Sequence, residues 1–238
     1  MAINLMMYFA LTPSYSDVMD VNMIVEQAIQ ALGKADVKGD VVFKTSSTIN
    51  LNQIEYKRIE FMHPQGRARV EESWKEGGRQ MDQLIVFDGK RGWVRFNGAT
   101  RECTEGELDT VREIIQRGLL QATRGLNNKK NKLALLPETV VDDEVCVGLR
   151  VESDTQGSTD FYYSKKSFFL RKTCGKKKLP DGRTLDATEI RYGYRKFSGL
   201  FFPKKSVVTI GDSIKLVQVI DKVELLPVAD AKAAFNKP

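Results

Sequence analysis

The spacing of apolar residues changes period several times along the chain, and each change predicts an element. Val18, Val21, Val25, Ala28 and Leu32 recur every three or four positions, and Ile24 and Ile29 widen the stripe. That spacing predicts an amphipathic helix over 17–33, capped by Ser16 or Asp17 and stopped by Gly33 in the left-handed conformation. The period then drops to two. Val41, Phe43, Ile49 and Leu51 face one way, while Lys44, Ser46, Thr48 and Asn50 face the other. "IEYKRIEFM" and "RARVEESW" extend the alternation across a break at His63-Pro64-Gln65-Gly66, and "QMDQLIVF" and "GWVRFN" follow Gly77-Gly78. Asn97-Gly98 is a hairpin signal, because both residues accept positive φ. The first half therefore predicts a meander of five strands or more.

A second helix interrupts the strands. Thr104-x-x-Glu107 has the form of a capping box, and Leu108, Val111, Ile115 and Leu119 form an apolar stripe joined by Ile114 and Leu120. The predicted helix covers 105–123 and closes at Gly125 and "NNKKNK". It either completes the core or lies as a movable lid. Strands resume with "EVCVGLRVES", "TDFYYS" and "SFFLRKT", then "LDATEIRYGYRKF", "FFPKKSVVTI" and "IKLVQVIDKVELL". No linker and no repeat of fixed period divides them. The expectation is one α+β domain over 17–238, a large curved antiparallel sheet of roughly ten strands with helices covering its concave face. A sheet of this size curls, and one that curls without closing encloses an apolar cavity.

Candidate chemistry is sparse. In "IVFDGKRGWVRFNG" Asp88, Lys90 and Arg91 could form an acid–base loop, but at the exposed tip of a hairpin nothing tunes them for proton transfer. The single histidine, His63, is either half of a catalytic couple or a strand-end residue, and no G-x-S-x-G elbow accompanies it. Asp142, Asp143 and Glu144 lack the glycine and spacing of a calcium loop. Cys103, Cys146 and Cys174 lie far apart, so neither a zinc site nor a disulfide framework is indicated, and at most one bridge could form. No catalytic residue, metal or cofactor is expected.

The net charge of +6 brings nucleic acid and anionic membranes into consideration as partners. Lys165-Lys166, Arg171-Lys172 and Lys176-Lys177-Lys178 bracket the aromatic "SFFL". Three readings stand open: lysines guarding an edge hairpin, contact with lipid headgroups, or a platform for single-stranded nucleic acid. Residues 3–11, "INLMMYFAL", precede a small-x-small step at Ser14–Ser16. Residues 1–16 read as a short export signal, although it has no leading Lys or Arg. A late start site or a disordered tail are the alternatives.

The order of elements resembles the periplasmic lipoprotein-carrier superfamily of LolA- and LolB-like proteins. The step Tyr194-Arg195-Lys196 with Gly199 and Pro203, the "FDGKRGW" hairpin from Phe87 to Trp93, and the tail from Asp230 through Phe235 to Pro238 carry the likeness, together with "ALGKADVKG" after the first helix. The resemblance implies an unclosed β-barrel lidded by helices, and non-enzymatic carriage of lipid or acylated lipoprotein in the periplasm; a monomer is expected. Leu108, Val111, Ile115 and Leu119 are then the candidate lid residues, and Phe43, Phe87 and Trp93 the candidate cavity wall. The rivals are a single-stranded nucleic-acid binder using 165–178, which predicts strongly salt-dependent binding, and a structural exported domain with no small ligand.

Overall fold

The computed structural model describes residues 19–33, 41–63, 65–117, 126, 131–153, 157–179 and 182–238. Within them the strands form one antiparallel sheet. The first run comprises β1 (Val41–Leu51), β2 (Ile54–His63), β3 (Arg67–Glu76), β4 (Arg79–Phe87), β5 (Gly92–Phe96) and β6 (Ala99–Glu102). The second comprises β7 (Lys132–Val141), β8 (Glu144–Ser153), β9 (Gly157–Ser164) and β10 (Leu170–Lys178), then β11 (Thr184–Phe197), β12 (Leu200–Ile210) and β13 (Ile214–Pro227). Each run is a meander, and β1 pairs with β13 to join them. The edges, β6 and β7, do not pair with each other, so the sheet is open.

Local sequence explains the meanders. Asn52-Gln53, Gly77-Gly78, Asn97-Gly98, Asp142-Asp143 and Ser198-Gly199 all take positive φ at both positions. This is the two-residue turn whose twist matches that of the flanking strands. The acidic run after β7 is therefore a turn, and its Asp142 and Asp143 are exposed.

Helix α1 spans Val21–Ala31, and its cap is Asp20, whose carboxylate accepts the Met23 N–H at 2.8 Å, not Ser16 or Asp17. Residues 1–18, including the export-signal reading, lie outside the described residues. Ile24, Val25 and Ala28 pack onto Val147, Leu149, Val151, Tyr163 and Leu170. The chain leaves the helix at Gly33, where φ is +84° and an added Cβ would lie 2.4 Å from the Gly199 carbonyl oxygen. Gly33→Ala is expected to destabilise the protein by about 2–3 kcal/mol through strain and this backbone clash, measurable by urea unfolding.

Helix α2 spans Glu105–Arg117 and packs Leu108, Val111 and Ile115 against Ala68 and Phe87. At the other end of the chain, a helical turn (Val228–Ala231) and a 3-10 turn (Lys232–Phe235) fold back against Val42, Phe61 and Leu226. His63, only 1% exposed, lies edge-on to Phe235 at 6.1 Å, with its Nδ1 accepting the Gln65 N–H at 3.0 Å. It is a strand-end residue sealed beneath the tail. Among the described residues no helix is long and apolar enough to cross a membrane.

Candidate functional site

Register and strand alternation place both helices on the same face of the sheet. Under α2 that face presents Ala68 and Phe87; under α1 it presents Val147, Leu149, Val151 and Tyr163. Between them lies a third apolar patch of Val41, Phe43, Leu200, Phe202 and Val223, edged by Phe197, Ile220 and Leu225. Met62 borders both this patch and the α2 patch, so the apolar surface is continuous across β1–β4. Phe202 is the hub, with Phe43 and Phe197 rings at 6.3 and 6.2 Å.

Helix α2 is held down at its N-terminus. The Glu107 carboxylate accepts the Thr104 N–H at 2.8 Å and the Thr104 hydroxyl at 3.0 Å, completing the capping box. It also takes a two-pronged pair of bonds from Arg101 at 2.7 and 2.6 Å. Arg101 first, then Thr104, hold Glu107 down to about 2, against the opposing effect of burial. Glu107→Gln is expected to lose about 1 kcal/mol at pH 7. Because the folded pKa is depressed, the wild-type advantage is present above the ordinary carboxylate range and vanishes as pH falls toward 2, which urea unfolding at pH 7 and pH 3 would register. Gly92 lets the helix approach, since an added Cβ would meet Leu108 Cδ2 at 2.6 Å and Cys103 Sγ at 2.9 Å. A cavity of about 400 Å³ opens beside this joint, lined by Gln83, Val94, Phe96, Ala99, Thr100, Arg101 and Glu107.

A polar row crosses the same face. Glu72 pairs with Arg58, and Arg58 with Ser47, on successive strands. Gln218 Nε2 donates to Ser47 Oγ at 3.1 Å across the register shift between β1 and β13. Gln218 then pairs with Ser206, and Ser206 with Arg191. Arg58 donates to Glu72 (2.7 Å from Nε) and to Glu60 (3.4 Å), while Arg191 holds Glu189 at 2.9 Å through both Nε and Nη2. Ser47 and Arg191 are 2% and 4% exposed. Burial pushes Glu60 above the usual carboxylate range, with Arg58 pulling against it. Beyond the row the face turns apolar again at Ile49, Tyr56, Trp74, Val208 and Leu216, with Tyr56 5.2 Å from Trp74 and Trp74 6.1 Å from Phe96.

The site residues expected from the sequence divide as follows. Leu108, Val111, Ile115 and Phe87 form one cluster, and Phe43 lies in the neighbouring patch on the same face. Leu119, with positions 118–123 of the expected helix, lies outside the described residues. Trp93 pairs with Val86 and packs with Val86 and Leu84, so it points to the opposite face from Phe87. The polar row was not anticipated at all.

The remaining candidates lose their chemistry. Asp88 closes the hairpin tip by accepting the Lys90 and Arg91 N–H groups at 2.8 and 2.7 Å. Burial raises its pKa, but those bonds and the two side-chain charges outweigh burial and hold it low. The three cysteines are free thiols. Burial and Glu107 push Cys103 up to about 11, leaving it protonated and a poor nucleophile at neutral pH. No group of three metal-ligating residues occurs among the described residues. The basic hairpin β9–β10 is not an edge, because β8 and β7 lie outside it. Lys165, Arg171 and Lys176 pair with Glu138, Glu144 and Asp186.

No protein-family model matches the chain, and no curated protein does. Solved structures do. A LolA superfamily protein from Nitrosomonas europaea is 16% identical, with a TM-score of 0.60 over 92% of this chain and 98% of the other. A DUF1329 family protein from Desulfovibrio piger is 13% identical, with a TM-score of 0.58 over 91% and 97%. A candidate outer membrane lipoprotein-sorting protein domain from Vibrio parahaemolyticus is 8% identical, with a TM-score of 0.52 over 91% and 100%. At these identities the likeness is one of fold.

Proposed function

Given a chain with the LolA-superfamily fold, we propose that it binds or carries the acyl chains of lipids or lipoproteins, without chemistry, on the helix-bearing face of its open sheet. The observation that carries this reading is the arrangement of that face. Two helices and three apolar clusters share it, and the sheet stays open at β6 and β7. Each CH₂ leaving water gains about 0.8 kcal/mol, so a sixteen-carbon chain gains roughly 12 kcal/mol before ordering costs, and no catalytic group is required. Leu108, Val111 and Ile115 form the underside of the lid, and Phe43, Phe87, Phe202 and Met62 the floor. Lifting α2 would open the floor beneath it. Export to the periplasm goes with this reading, as does loading and release at a membrane surface.

A monoacylglycerol with pyrene at its chain end tests the proposal. It should bind saturably at about one per chain, with a Kd that changes less than threefold between 50 and 500 mM NaCl. Absence of saturable binding would refute acyl carriage. Binding of a single-stranded oligonucleotide that weakens by orders of magnitude over the same salt range would favour the basic hairpin instead.

A further inference from the structure

A face built only to hold hydrocarbon needs no ions, yet this one carries a cross-strand polar row over β3, β2, β1, β13, β12 and β11. Burying such groups is no gain in stability over an apolar core, so the row calls for another reason. Its composition points to one. The two guanidiniums are already engaged by carboxylates, Arg58 by Glu72 and Glu60 and Arg191 by Glu189. Between those ion pairs stand only uncharged hydrogen-bonding groups: Ser47, Gln218 and Ser206. Gln218 is the half-buried member of the three; the serines beneath it are buried. Its amide is both donor and acceptor, and Ser47 holds its nitrogen.

Resting on the acyl-carrier reading, we infer that this row is a polar station within the apolar groove, with Gln218 receiving the uncharged linkage of an acyl ligand: an ester, amide or glycerol hydroxyl. The three carboxylates of the row repel a free carboxylate or phosphate placed there, and both guanidiniums of the row are committed; Lys204, which register sets between Phe202 and Ser206 on this face, is exposed and not part of the buried row. The ligand class is therefore a neutral acyl ester or amide, with hydrocarbon on the Phe43–Phe202 side and the linkage at Gln218. The second apolar band, at Tyr56 and Trp74, takes the part of the ligand beyond the linkage.

The chain has two tryptophans. Trp74 lies on the helix-bearing face and Trp93 on the other, so a Trp93→Phe background leaves Trp74 as the single fluorescent reporter. In that background at pH 8, 1-dodecanoylglycerol should bind at least tenfold tighter than dodecanoate. Part of that ratio reflects desolvation of the carboxylate in any apolar groove. The Gln218→Leu and Glu72→Gln variants isolate the contribution of the row, and each should shrink the ratio at least threefold. Gln218→Leu does so by weakening the ester, Glu72→Gln by admitting the anion. An unchanged ratio in both variants, or a wild-type preference for the anion, overturns the polar station while leaving acyl carriage intact. If neither ligand binds the wild-type chain, the carrier reading falls and the station with it.

Discussion

Replacing Phe202 by alanine is expected to lower stability by about 3–5 kcal/mol, the range for emptying a buried aromatic site. Phe202 is well buried at the centre of the middle apolar patch, between the rings of Phe43 and Phe197. Its neighbours come from β1, β11 and β13, where a long loop of chain closes, so they cannot collapse independently into the hole. Urea unfolding measures the loss. Under the acyl-carrier reading the same substitution removes part of the floor, so acyl affinity in the folded fraction should fall about tenfold. A conservative Phe202→Leu should recover most of both.

Arg58→Met is the second large effect. It removes the cation shared by Glu60 and Glu72 and leaves two half-buried carboxylates facing each other, a loss of about 3–5 kcal/mol at neutral pH. The pH dependence distinguishes this from a packing defect. Burial already lifts Glu60 above its ordinary value, and without Arg58 it rises further. A carboxyl raised in the folded state binds its proton more tightly there than in the unfolded chain. Stability therefore falls as pH rises from the ordinary carboxylate range through the raised folded pKa. The deficit relative to wild type should be smallest near pH 4 and largest above pH 7. A deficit that is flat with pH would mean that Arg58 acts through packing of its guanidinium and not through its charge on Glu60 and Glu72.

Much of this architecture was written in short-range patterns. The period-two runs and paired turn residues predict the hairpins one by one, and Thr104 with Glu107 predicts the start of α2. What escaped lacks such a signal. β6, "ATRE", is exposed throughout and has no alternation, and β7 carries Pro137 and a register shift near it. The turn that ends at Phe235 is held by contacts with β1 and β2, far away in sequence.

Trp93 shows a different failure. The four residues between Phe87 and Gly92 set Val86, not Phe87, on the same face as Trp93. Counting the turn would have separated the two aromatics. The polar row was illegible for a deeper reason. Ser47 and Gln218 look like ordinary strand residues until β1 and β13 are paired, and that pairing is fixed by the whole sheet.

The most direct test of where the ligand sits is photocrosslinking with an acyl glycerol carrying a diazirine near the chain end, followed by peptide mass spectrometry. Adducts are expected on the helix-bearing face, at Phe43, Met62, Phe87, Phe202 and the Leu108–Ile115 segment, and excess unlabelled ligand should compete them away. Competable adducts confined to the opposite face, around Tyr162, Lys172 and Lys205, would contradict that placement.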